Sequence, residues 1–163
     1  MSRQISRTRF AFQSIIVGIP LVVSGSEAMA ASEHSSYHPH HVSIPIGWLQ
    51  KEGGQDAFAY GLEYEYRITE KIGIGVFFES AQGEFDLFTY GVPIFYHPVD
   101  PMKVFLAAAY ETKAFEHEYF LLRVGAGYDF HHGNFSLGPL GWYDFVETGK
   151  YLGFIGFGAG YGF

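Results

Sequence analysis

The sequence predicts an all-β chain: an eight-stranded antiparallel up-and-down transmembrane β-barrel, preceded by a cleavable signal peptide. Three observations carry this. After residue 30 the chain divides into eight stretches of roughly ten residues, each alternating between two kinds of side chain and bounded by turn-forming residues. No helical period interrupts the series. No apolar run after residue 30 reaches the roughly eighteen residues a spanning helix needs, so any crossing of a membrane must use strands.

Residues 1–30 have the build of a secretory signal peptide. Arg3, Arg7 and Arg9 make a positive start, Phe10 to Val23 is mostly apolar, and Ala28-Met29-Ala30 supplies a small–x–small cleavage pattern. The competing reading is an N-terminal amphipathic helix. Residues 31–39 form a short His-containing lead-in, and 40–163 form the barrel. With no cysteine in the chain, an extracytoplasmic fold must hold without disulfides. Taking Arg3, Arg7, Arg9 and Glu27 away from the 10 basic and 17 acidic residues leaves 7 and 16, a net charge of −9. A chain this acidic does not hold nucleic acid by neutralising phosphates.

The predicted strands lie at 40–50, 56–67, 71–80, 87–97, 103–113, 117–129, 134–145 and 150–163. Between them stand KEGGQD, ITE, AQGEFD, HPVDPM, TKAFEH, HHGN and VETGK, rich in Gly, Pro, Asp, Asn and charge. In the second strand Phe58, Tyr60, Leu62, Tyr64 and Tyr66 alternate with Ala57, Ala59, Gly61, Glu63, Glu65 and Arg67. The third sets Ile72, Ile74, Val76 and Phe78 against Gly73, Gly75, Phe77 and Glu79, and the fifth and sixth repeat the scheme. The seventh is least regular, because Leu140 and Trp142 share a face with Ser136 and Asp144. Pro45 and Pro93 fall inside strands with inward parity, where a bulge or local bend is expected.

Alternation alone does not say which face is inside. A soluble lipocalin-like barrel would turn its apolar face inward. Here the other face is mainly Gly and Ala with isolated charges, which suits the cramped interior of an eight-stranded barrel better than a water-facing surface. The exterior is then a belt of Ile, Leu, Val and Phe. Ten residues at about 3.3 Å rise and about 40° tilt span roughly 25 Å, the height of a membrane-barrel wall.

The last stretch, YLGFIGFGAGYGF, adds a specific signal. Gly158, Tyr161 and Phe163 fall on the glycine and two aromatic positions of the C-terminal strand polar–x–Gly–x–x–aromatic–x–aromatic, with Gly156 where that pattern has a polar residue. On this motif and the whole-chain pattern, the sequence resembles the small OmpA/OmpX-type outer-membrane barrels of bacteria. The resemblance implies insertion by the barrel-assembly machinery and a monomer standing among outer-membrane lipids. It places both ends in the periplasm, so that 51–55, 81–86, 112–117 and 146–150 face outward, all of them short.

By parity Glu63, Glu65, Glu79, Glu111, Asp144, Arg67, Lys113 and Arg123 point into the lumen, with Glu79, Glu111 and Asp144 toward the outer mouth and Arg123 and Glu63 deeper. Buried charges must pair. The expected network centres on Arg123, with Glu63, Glu111 or Asp144 as partners. It either plugs the lumen or lines a cation-preferring passage.

Seven of eight histidines fall toward the periplasmic end. His41 and His97 have inward parity, as does Asp129, and His131 is in the adjoining turn. Together they form a candidate site for Zn²⁺ or Cu²⁺, the alternative being a polar tail and two ordinary turns. No catalytic set stands out. A lipid A-modifying enzyme would need a Ser and a His near the outer surface, and Ser80 and His117 are separate in sequence. The leading expectation is a structural or interaction role, followed by metal or solute handling, then an enzyme.

Overall fold

The computed structural model describes residues 38–113 and 117–163. The expected signal peptide, nearly all of the lead-in and residues 114–116 lie outside the described residues. The strands are β1 (His40–Lys51), β2 (Gln55–Arg67), β3 (Ile72–Gly83), β4 (Leu87–Tyr96), β5 (Met102–Lys113), β6 (His117–Tyr128), β7 (Phe130–His132), β8 (Phe135–Val146) and β9 (Tyr151–Gly162). They pair antiparallel in the order β6-β5-β4-β3-β2-β1-β9-β8-β7, and β6 also pairs with β8, closing the sheet on itself. β6 and β7 are two parts of one strand divided at Asp129, so eight strands go round the barrel.

The division has a local cause. Pro139 lies between the Gly127↔Leu140 and Phe130↔Leu137 pairs and has no N–H to offer the ladder. The β5–β6 side is not interrupted there: the Asp129 N–H donates to the Pro101 carbonyl at 2.9 Å, continuing the register of Met102↔Tyr128. β3 runs past residue 80 to Gly83, because Ala81 and Gly83 still find Ala59 and Ala57 opposite them on β2.

The bulges expected at Pro45 and Pro93 are absent. Register is unchanged across Pro45 (Ser43↔Glu63, Ile46↔Tyr60) and across Pro93 (Ile74↔Ile94, Phe77↔Gly91). In an antiparallel strand the N–H and C=O of one residue address the same neighbour. Each proline therefore interrupts one ladder only and stays in register on its other side, at Pro45↔Gly158 and Pro93↔Ala107.

The two faces sort as alternation predicts. Leu62, Leu106 and Ile155 are 50%, 55% and 74% exposed, while Ala59, Glu65 and Arg123 are 0%, 1% and 3% exposed. A water-soluble monomer does not expose apolar surface all round its wall. The lipocalin-like arrangement is thereby overturned: hydrocarbon is outside and the charges are inside. Lys113, expected inward, is exposed at the end of β5. Glycine on the inner face leaves room that neighbours fill: Phe105 lies over Gly125, and Phe154 over Gly47 and Gly156. The lumen is consequently packed with Phe77, Phe95, Phe105, Trp142 and Phe154 as well as with small residues.

Candidate functional site

The lumen is layered along the barrel. At mid-height Arg123 grips two carboxylates with its whole fork. Its Nε and Nη2 donate to Asp144 at 2.7 and 2.8 Å, and its Nη1 and Nη2 donate to Glu79 at 3.2 and 3.1 Å. Aromatic rings cover both faces of the guanidinium, Phe77 at 4.5 Å and Trp142 at 4.4 Å from its carbon to the ring centres. Trp142 in turn stacks on Phe154 at 3.6 Å with the rings 6° apart. Carboxylates hold four of its five N–H groups, and two aromatic rings lie against its plane. This accounts for Leu140 and Trp142 on the charged face of β8: they are lumen filling.

Toward the termini the filling is polar. Lys103 Nζ donates to Glu63 Oε1 at 3.2 Å and lies 3.6 Å from Asp129, and the Ser43 hydroxyl donates to Glu63 at 3.3 Å. His97 Nε2 is 2.7 Å from Glu65 Oε1, with Arg67 Nε 3.6 Å from the same oxygen. His41 Nε2 is hydrogen-bonded to Ser136 Oγ at 3.0 Å. Toward the opposite end the filling is hydrocarbon: Leu49, Ala57, Ala81, Leu121, Val146 and Leu152, with Phe85, Leu87 and Tyr119 packed on them. Between Glu63, Glu79, Phe105, Arg123 and Trp142 a void of about 10 Å³ remains, on the scale of one water.

These positions revise the expected network. Asp144 is a partner of Arg123, but Glu63 belongs to Lys103, and among the described residues the second carboxylate on Arg123 is Glu79. Arg123 stands level with Glu79 and Asp144, not deeper. Glu111 makes none of the Arg123 contacts, and Glu65 serves His97 and Arg67. Sequence reasoning missed Lys103, although it shares parity with Ala107 and Ala109 on the same strand.

Three of the four candidate metal residues are bonded to other side chains. His41 faces Ser136, His97 faces Glu65, Asp129 faces Lys103, and His131 is exposed on β7. Among the described residues no three His, Asp or Glu side chains converge as metal ligands. Of the terminal motif, Gly158 lies on the lumen side beneath Leu140. Tyr161 and Phe163 are outward, in an aromatic row with Phe135 and His40.

No family model and no curated protein matches the chain in sequence. Solved structures do match its shape. Neisserial surface protein A superposes with a TM-score of 0.59 at 17% identity, over 76% of this chain and 96% of that one. The N-terminal β-barrel domain of Pseudomonas aeruginosa OprF gives 0.56 at 15% identity, over 77% and 100%. The fold is that of the small eight-stranded outer-membrane barrels. A de novo designed transmembrane β-barrel also superposes, with a TM-score of 0.55 at 11% identity over 76% and 97%. That match marks the limit of the likeness: an outer-membrane-type barrel can be built with no natural activity attached, so function has to be argued from the lumen and the wall.

Proposed function

We propose that this chain is an integral outer-membrane protein whose lumen is plugged by its own side chains and whose role is structural or interactive. In this reading it is delivered through a signal peptide, inserted by the barrel-assembly machinery, and stands as a monomer among outer-membrane lipids with its termini in the periplasm. The observation that carries the plug is Arg123, held at once by Glu79, Asp144, Phe77 and Trp142 across the middle of the lumen. Above and below it, hydrocarbon and ion pairs occupy the remaining width. The non-enzymatic reading is supported by the placement of His41 and Ser136, a serine–histidine pair buried in the lumen and away from the lipid-facing wall.

The alternative, a cation passage, has one feature in its favour. Six buried or half-buried lumen acids (Glu63, Glu65, Glu79, Glu111, Asp129 and Asp144) stand against Arg67, Lys103 and Arg123. Single-channel recording on the refolded barrel in planar bilayers separates the two. The plug predicts electrical silence, and steady cation-selective openings would overturn it. Boiled and unboiled samples run side by side on a gel establish that the barrel under test is folded, because a closed barrel migrates differently until heated.

A further inference from the structure

We infer that the His41–Ser136 hydrogen bond is a closure latch, which fastens the first strand directly to the penultimate one by passing over a bare glycine of the last. β9 lies between β1 and β8, and its Gly160 pairs with Ser43 on one side and Ser136 on the other. His41 on β1 nevertheless reaches Ser136 on β8 at 3.0 Å, across the lumen face of β9. The crossing is possible only because position 160 has no side chain. A Cβ there would stand 2.6 Å from Ser136 Oγ and closer still to His41 Nε2.

The two partners are 95 residues apart in sequence and buried, at 6% and 5% exposure. They meet only when β9 is paired with both β1 and β8, so a sheet opened at the β1–β9 seam, where the first and last strands join, lacks the bond. A polar bond formed away from water is costly to break without replacement. β9 has a particular need of such a bond. From residue 156 on, its lumen face is glycine alone, and a Gly-rich stretch contributes little side-chain packing of its own. Backbone ladders hold β9 to each neighbour separately, while the latch ties the neighbours to each other. A contact made last in folding acts on the rate of opening more than on the rate of formation.

The test is a mutant cycle on the refolded barrel, with unfolding in denaturant followed by loss of the heat-modifiable gel band. His41→Ala and Ser136→Ala should each speed unfolding by about tenfold, as for one buried hydrogen bond. The double variant should be no faster than the singles, and refolding rates should stay unchanged. Gly160→Ala should open much faster or fail to refold, and should recover when made in the His41→Ala/Ser136→Ala background. Additive effects of the two alanines would overturn the latch. So would an equal penalty for Gly160→Ala in both backgrounds.

Discussion

The two halves of the lumen solve the same filling problem with opposite chemistry. From Arg123 toward the termini the space is occupied by Lys103, Glu63, Asp129, Glu65, His97 and His41, each answered by a bonded partner. From Arg123 toward the far end it is occupied by Leu49, Leu121, Leu152 and Val146, which need no partners. The difference teaches where stability resides and, for the proposed plug, where the seal would be. Buried ion pairs roughly offset their own desolvation, so the polar half adds little net stability but tolerates the loss of one partner badly. The apolar half is stabilised by ordinary burial, and its hydrocarbon ring is also the harder barrier for a hydrated ion.

Substitutions on each side sharpen the contrast. The largest effect belongs to Arg123→Ala, which leaves Glu79 and Asp144 facing one another with no cation between them. A loss of about 3–5 kcal/mol is expected from a buried pair broken on one side only, read as the shift in the urea unfolding midpoint. Replacing Arg123, Glu79 and Asp144 together with apolar residues of similar volume should restore most of that loss. If it does not, the polar half contributes more than its pairs suggest. Leu121→Ala comes next, at about 3 kcal/mol for a fully buried leucine in a packed cluster, by the same measurement. A much smaller value would mean that the far half can collapse around the gap. Smallest is Tyr90→Phe on the exterior, which removes a 2.7 Å hydrogen bond to the exposed Glu118. Its unfolding midpoint should match that of the unaltered barrel, since a bond open to water is replaced by water.

Much of the cylinder was legible in the sequence because its signals are local. Strand limits follow turn residues, and the inside and outside of each strand follow a period of two. Glu65, Glu79, Arg123 and Asp144 were readable as inward for that reason alone. Which of them meet was not readable. Arg123 and Glu79 are 44 residues apart on strands that are not neighbours, and their meeting depends on tilt and stagger. The same gap explains the candidate metal residues: His41 and His97 share a parity and an end of the barrel, but parity fixes a face and not a point on it. Leu140 and Trp142 depart from the pattern of β8 for different reasons: Leu140 lies over Gly127 and Gly158, and Trp142 packs between Arg123 and Phe154.

The chain's two tryptophans end up in unlike places. Trp48 is 59% exposed on the outer wall beside Phe58, whereas Trp142 is 4% exposed and stacked between Arg123 and Phe154. The molecule thus carries its own pair of optical probes. A brominated acyl chain would quench the emission of Trp48 and leave that of Trp142 untouched. With Trp48 replaced by phenylalanine, the remaining fluorescence would report on the interior alone.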